Sequence, residues 1–255
     1  MSKERIVVIN SIDRISGTNT DFTVSYNDYE VQQVLKVVVK QAYIPNQFYN
    51  VTNDNNRFEI KQSTFPSAII IIRAGQYTID ELIAELEILI NAYLSDGATV
   101  TITKSNTTGK LTFTFSGATL PANNTVTIFD NANATAKDLL GISGTQTSDS
   151  ITLPNPFNLS GVEYVAIHSP QLAYNHGLES GARGAVSILD IVSLTETPFG
   201  AVAYHETKDD ELAEVIYTEP TNLSNISVVL RDKNGTKLEL PDNFDCSVII
   251  KVFFD

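Results

Sequence analysis

At 255 residues and 42% hydrophobic content, the chain is long enough to bury about three quarters of its unfolded surface. That suits one large β domain or a domain with an insertion, and it removes any need for disulfide or metal staples. A formal charge of −13 and a pI near 4.6 exclude attraction to phosphate, so no direct nucleic-acid partner is expected. The single cysteine, Cys246, excludes an intrachain disulfide and reads as a small buried filler beside a strand. Met1-Ser2-Lys3-Glu4-Arg5 and the four apolar residues after it make neither a signal peptide nor a membrane span, and none is expected.

In chain order, Arg5 to Asn10 reads as a short apolar strand and Ser16 to Thr20 as a turn. Phe22, Val24 and Tyr26 alternate with Thr23 and Ser25, and Val34 to Ile44 is a longer valine-rich strand. Pro45-Asn46 ends it, because proline gives the ladder no amide hydrogen. Phe58 to Lys61 and Ala68 to Arg73 follow as strands. Ile69 to Ile72 is continuous enough to predict burial on both faces.

The period then changes. Ile79, Leu82, Ile83, Leu86, Leu89, Ile90 and Tyr93 recur at spacings of three and four with acidic residues between them, which predicts an amphipathic helix. Thr78 and Glu81 form a capping-box pattern at its start. A hairpin is expected over Thr99 to Thr103 and Lys110 to Phe115, then a strand at Thr125 to Phe129 and a helical turn at Ala134 to Leu140. These elements predict an inserted α+β domain over 75–145, flanked by a β domain of residues 1–74 and 146–255.

Beyond the Ser/Thr/Gly-rich link at Ser143 to Ser150, Val162 to Ser169, Ala185 to Leu194 and Leu212 to Tyr217 read as strands. Ile226 to Leu230 and Lys237 to Leu240 predict a hairpin around Asn234-Gly235, whose residue types favour a tight primed turn. Ser247 to Phe254 is a last apolar strand, with Val248, Ile250 and Val252 on one face. Having no successor, it must pair with strands laid down much earlier, so the fold closes non-locally. The expected class is mainly β: a sandwich that closes as Greek keys and jelly rolls do, with a small α+β insertion.

Little in the sequence carries chemistry. His168, His176 and His205 stand at no metal-ligand spacing from one another. Asp209-Asp210-Glu211 with Glu214 is the densest carboxylate cluster; it offers oxygen ligands to a hard cation, but reads first as a solvated acidic loop. Gly177, Gly181 and Gly184 lack the strand-turn-helix context of a phosphate loop, and no nucleophile elbow is present. No catalytic, cofactor-binding or metal-binding residue is assigned, and the chain is not expected to be an enzyme.

Five motifs nevertheless occur in a telling order: Asn10-Ser11-Ile12-Asp13-Arg14 with Ser16-Gly17-Thr18 and Asp21-Phe22; Ile44-Pro45-Asn46 with Phe48-Tyr49-Asn50; Gly75-Gln76-Tyr77-Thr78; Leu139-Leu140-Gly141; and Leu230-Arg231-Asp232-Lys233-Asn234-Gly235. Together they resemble the penton proteins of virophages and Maverick/Polinton-type viruses. The resemblance implies a vertex capsid protein: a single jelly-roll sandwich with an inserted small α+β domain, assembled as a homopentamer at the icosahedral five-fold axis of a virion, surrounded by double-jelly-roll major capsid proteins and in reach of minor capsid proteins. From residue chemistry, Asp13 is expected to cap the turn at Gly17, or to join Arg14 in an inter-subunit ion pair. The competing expectation is a carbohydrate- or receptor-binding β-sandwich, against which stand the absence of tryptophan and of an aromatic cluster in the loops.

Overall fold

The computed structural model describes residues 3–26, 31–63, 65–95, 97–117, 125–173, 177–179, 184–207 and 214–254. Along the chain run β1 (Lys3–Asn10), a 3-10 turn (Ser11–Asp13), β2 (Ser16–Gly17), β3 (Asp21–Ser25) and β4 (Val34–Pro45). Next come β5 (Arg57–Gln62), β6 (Ala68–Ile71), α1 (Ile79–Tyr93), β7 (Thr99–Lys104), β8 (Leu111–Ser116), β9 (Val126–Phe129), α2 (Lys137–Leu140), β10 (Gln146–Ser148) and β11 (Ser150–Thr152). The last stretch holds β12 (Tyr164–His168), β13 (Gly177–Glu179), β14 (Gly184–Val186), β15 (Ile188–Ser193), β16 (Val202–Glu206), β17 (Glu214–Thr221), β18 (Asn225–Arg231) and β19 (Ser247–Phe254).

Two compact units result, one from Met1–Phe48 with Val162–Asp255 and one from Tyr49–Gly161. In the first, one sheet has the order β1-β19-β4-β16, with β17 also on β4, and the other the order β15-β12-β18-β3-β2. Both β16 and β17 pair with β4, at Gln41 to Pro45 and at Val34 to Val38 respectively, so they fill one position in two halves. Counting that position once and leaving aside the two-residue β2 and the β13/β14 hairpin, eight strands remain. The first pairs with the eighth, the second with the seventh, the third with the sixth and the fourth with the fifth. That nested pairing is a hairpin rolled up on itself, the jelly roll.

The core explains the pattern. In β19, Val248, Ile250 and Val252 are fully buried and alternate with half-buried Ile249, Lys251 and Phe253, as period two requires. They join Ile9 of β1, Val37 and Val39 of β4, and Val165, Ile226 and Val228 of the facing sheet in one apolar cluster. Strand β19 lies between β1 and β4 over its whole length, from Ser247 to Phe254.

The Tyr49–Gly161 unit has its own apolar cluster. One sheet runs β10-β9-β5-β6 and the other β11-β8-β7. Leu82, Leu86 and Ile90 of α1 are its fully buried positions, and the capping box forms, with the Glu81 amide donating to Thr78 Oγ1 at 3.3 Å and the Thr78 amide to Glu81 Oε2 at 2.8 Å. Helix side chains also cover a strand edge: the amides of Val100 and Ile102 in β7 each donate at 2.7 Å, to Asn91 Oδ1 and Glu87 Oε1.

Four expectations are corrected. The unit boundaries are Tyr49 and Gly161 rather than 75 and 145, because β5 pairs with β9 and carries β6 on its other edge, and β11 pairs with β8. The sequence signal stopped where the helix began, but ladder pairing joins the strands on either side of it. The isoleucine run is not buried on both faces: Ile70 and Ile72 are buried, while Ile69 and Ile71 of edge strand β6 are about half exposed. At Asn234-Gly235 only the glycine has positive φ, 76°, and Gly235 N donates to Asp232 O at 3.0 Å. The turn is therefore a type I turn closed by a left-handed glycine, not a primed one. Lys237 to Leu240 makes a single bridge, Arg231 to Lys237, in place of a strand.

If β19 is the keystone, removing residues after Asp245 abolishes the cooperative fold, and Ile250→Ala alone destabilises by ~2–5 kcal/mol. Circular dichroism and denaturant titration measure both; a truncated chain with an unchanged β spectrum and a cooperative transition would contradict the assignment.

Candidate functional site: the loop end of the sandwich and its flanks

In the jelly-roll unit the loop that follows β1 meets the segment that precedes β19. Ser11 accepts the amide of Cys246 on its Oγ at 3.0 Å, donates that hydroxyl to Asp245 Oδ1 at 2.7 Å, and gives its own amide to Cys246 O at 3.0 Å. Arg14 donates to Ser11 O at 2.8 Å and lies 3.8 Å from the Asp245 carboxylate. Further along the same loop, Asn19 donates to Pro241 O at 3.1 Å, Thr20 Oγ1 to Leu238 O at 2.6 Å, and Lys237 is ion-paired with Asp21. The loop of the first motif and the segment Lys237 to Cys246, which follows the last motif, are thus one structure, a seam of polar bonds between segments more than 200 residues apart.

The seam satisfies backbone groups that the turning chain would otherwise bury without partners. Gly17 is required where it stands: its φ is +96°, and a Cβ there would lie 2.0 Å from Asp21 O. Thr18 caps this turn, its Oγ1 accepting from the Asp21 amide at 3.2 Å, so the expected capping role of Asp13 is taken by its neighbour in the loop. Asp232 organises the other loop as an Asx turn, accepting from the amides of Asn234 at 2.9 Å and Thr236 at 2.8 Å. Arg231 Nη1 then donates to Gly235 O at 2.6 Å.

Cys246 sits inside the seam, fully buried. Burial, above all, pushes its thiol up to about 12, so it is a neutral filler at physiological pH, as the sequence implied. The second motif splits across the two units. Asn46 donates to Thr197 O at 2.6 Å and accepts from Gly200 at 2.9 Å, which ties the end of β4 to the turn before β16. Asn50 belongs to the other unit, where its amide group meets the third motif: it donates to Tyr77 O at 2.8 Å and accepts from the Tyr77 amide at 3.0 Å. Gly75 and Val51 exchange both backbone bonds, at 2.9 and 3.1 Å. In the fourth motif, Leu139 and Leu140 are buried and Gly141 ends α2 at a φ of 85°.

Asp190 of β15 and His205 of β16 meet at 3.4 Å across the two sheets, and burial raises the Asp190 carboxyl. Asp190 Oδ1 is already engaged by the Ile191 amide at 2.8 Å, which makes the pair a tie between sheet edges. His168 is buried at the end of β12. Among the described residues no three His, Cys, Asp or Glu side chains gather as a metal site, and no helix is long and apolar enough to cross a membrane. His176, Gly181, Asp209, Asp210 and Glu211 lie outside the described residues; Glu214 is ion-paired with Lys36 at 2.7 Å.

No protein-family model and no curated protein matches the chain. Among solved structures, it is similar to the crystal structure of the selenomethionine-labelled mavirus penton protein, with a TM-score of 0.50. The alignment covers 99% of both chains at 10% sequence identity. The likeness is one of fold, and it spans both units and the order in which the chain visits them.

What sequence reading missed is the exposed apolar surface. Ile6 and Val8 were absorbed into an apolar run read as a strand, yet their side chains point outward from β1, 66% and 50% exposed. Ile12 and Ile15, beyond that strand, are 64% and 63% exposed. The only available signal was a pair of isoleucines inside a polar turn, where a solvated loop would carry Ser, Asn or Asp.

Two outcomes follow. Native Cys246 reacts with a thiol-specific disulfide reagent at pH 8 at least ~100-fold more slowly than in denaturant, since neither exposure nor thiolate is available; equal rates would refute its burial. Asn50→Ala costs ~1–3 kcal/mol by leaving the Tyr77 amide and carbonyl without partners, while Asn106→Ala in an exposed turn stays within ~0.5 kcal/mol. Chemical denaturation separates the two.

Proposed function

We propose that the chain is a structural capsid protein, the penton subunit that forms a pentamer at the five-fold vertices of an icosahedral virion. The observation that carries the reading is the fold: a jelly roll with nested strand pairing, interrupted between its third and fourth strands by a unit of about a hundred residues, matched over 99% of its length by a penton protein of equal extent. The motifs support it, since the first, second, third and fifth place hydrogen bonds at loop junctions and the fourth packs the core of the inserted unit. A capsid subunit needs loops held in fixed positions, and the seam between Ser11 and Cys246 supplies that.

On this reading the protein is not an enzyme, carries no cofactor and contacts no nucleic acid directly, in line with its net charge of −13. Its partners are four further copies of itself and the double-jelly-roll major capsid protein, with minor capsid proteins in reach, and its place is the virion vertex.

Size-exclusion chromatography with light scattering tests the proposal. A penton subunit elutes as a species of five times the 27.9 kDa chain mass. A monomer at every concentration that binds members of a glycan array would instead establish the carbohydrate- or receptor-binding sandwich.

A further inference from the structure

In the Tyr49–Gly161 unit, β10 and β11 are separated by Asp149 alone, and the Phe115 amide donates to Asp149 O at 2.8 Å, so one stretch of chain joins the two sheets. The outer edges of the joined sheets are then β6 and β7. At β7 the helix covers the edge, because Asn91 and Glu87 accept the amides of Val100 and Ile102. Strand β6 is left otherwise. The Ile72 amide donates to Asn56 O at 2.9 Å, and in the register that sets Ile71 opposite Arg57 and Ile69 opposite Glu59 the bonded pairs alternate. The amides and carbonyls of Ile69 and Ile71 therefore point away from β5. Among the described residues nothing is bonded to them. The hydrogen bond from Tyr93 of α1 to Pro66 O, at 2.6 Å, falls before the strand begins at Ala68. Backbone groups with no partner in the protein take theirs from outside it.

The side chains of this edge are as open as its backbone. Ile69 and Ile71 are 49% and 56% exposed. Opposite residues in an antiparallel register share a face, so Arg57 stands beside Ile71 and Glu59 beside Ile69, and the period of two carries the face on to Lys61 in β5 and to Arg73 past β6. Arg57, Lys61 and Arg73 form no ion pair among the described residues. Glu59, the single carboxylate of the two strands, is already engaged: Asn131 and Asn133 donate to its Oε2 at 2.8 and 2.9 Å. In a chain of net charge −13, three unpaired cations around one open edge reverse the sign locally. A second copy fits that edge badly, because β6 laid against β6 gathers the same cations twice. An acidic strand with aliphatic side chains complements it in charge, in apolar surface and in backbone bonding.

We infer that β6 is a docking edge for an extended segment of a different polypeptide, one that carries a carboxylate and two aliphatic residues at alternate positions. The segment adds antiparallel to β6, as every neighbour in this sheet does, with its carboxylate beside Arg73 and its aliphatic side chains across from Ile71 and Ile69. Its amides donate to the carbonyls of Ile69 and Ile71, and its carbonyls accept their amides. The docking is independent of how many copies of the chain assemble.

A fluorescein-labelled peptide, Ser-Asp-Thr-Val-Thr-Val-Thr-amide, tests this on the whole chain. Fluorescence anisotropy measures its binding, and amide hydrogen exchange read by NMR locates it. Saturable binding with slowed exchange at Ile69 and Ile71 is expected; no binding at about 1 mM peptide overturns the inference. Slowed exchange confined to other strands overturns it as well. Methylation of the two valine amide nitrogens removes the donors that face β6 and keeps the side chains, so binding is lost; a methylated peptide that binds equally refutes strand addition. Exchanging Asp for Lys in the peptide weakens binding roughly fivefold, and Arg73→Glu in the protein, shown to be folded by circular dichroism, reverses the preference between the two peptides. An unchanged preference refutes the charge match. If the Ile69 and Ile71 amides are already protected in the free protein, and Arg73→Glu lowers its assembled mass, a second copy holds the edge and the inference fails.

Discussion

Everything in the jelly-roll unit depends on where the last strand lies. Strand β19 is hydrogen-bonded to β1 on one side and β4 on the other, and Val248, Ile250 and Val252 are the fully buried residues through which it meets the facing sheet. A central strand contributes ladder bonds on both edges and apolar burial on its inner face, so its loss removes more than the sum of its side chains. It leaves two strands with open edges and a core with one wall missing.

Pairing at such distance along the chain sets a second demand. Register between β1 and β19 could slip by one residue, which would turn Ile9 and Val248 outward. The polar seam opposes that slip. Ser11 follows β1 directly and Cys246 precedes β19 directly, and their two mutual backbone and side-chain bonds fix the start of the ladder at Asn10 opposite Ser247. The buried hydroxyl of Ser11 and the backbone of Cys246 thus do for this sheet what a tight turn does for a local hairpin.

The sequence displayed the periodicities well: α1 with its capping box, the alternation of β19 and the buried cysteine were all legible from local pattern. Less legible was which strands belong together. Nothing in Arg57 to Ile71 distinguishes a strand that pairs with β4 from one that pairs with β9, since both choices satisfy the same alternation, and the inserted unit was drawn too small for that reason. The primed turn failed differently: Asn-Gly permits it, but the Asx bonds of Asp232 select a type I turn with a trailing left-handed glycine. The outward side chains of β1 were invisible because an apolar run has no marker for the side that will stay outside the core.

The chain's connectivity also orders its synthesis. All pairings of the Tyr49–Gly161 unit lie within that unit, so its sheets and helix can close as soon as about 160 residues have left the ribosome. Strands β1, β3 and β4 by then have been made, yet their neighbours β19, β18 and β16 have not. For the remaining interval β1 and β4 have no native partner between them, a gap that any neighbouring nascent chain with a free strand can enter. The inserted unit, folded early and placed between the two halves, keeps them on a tether whose ends are a finished body rather than a loose coil of more than a hundred residues, and so reduces the entropy that must be given up when β19 arrives.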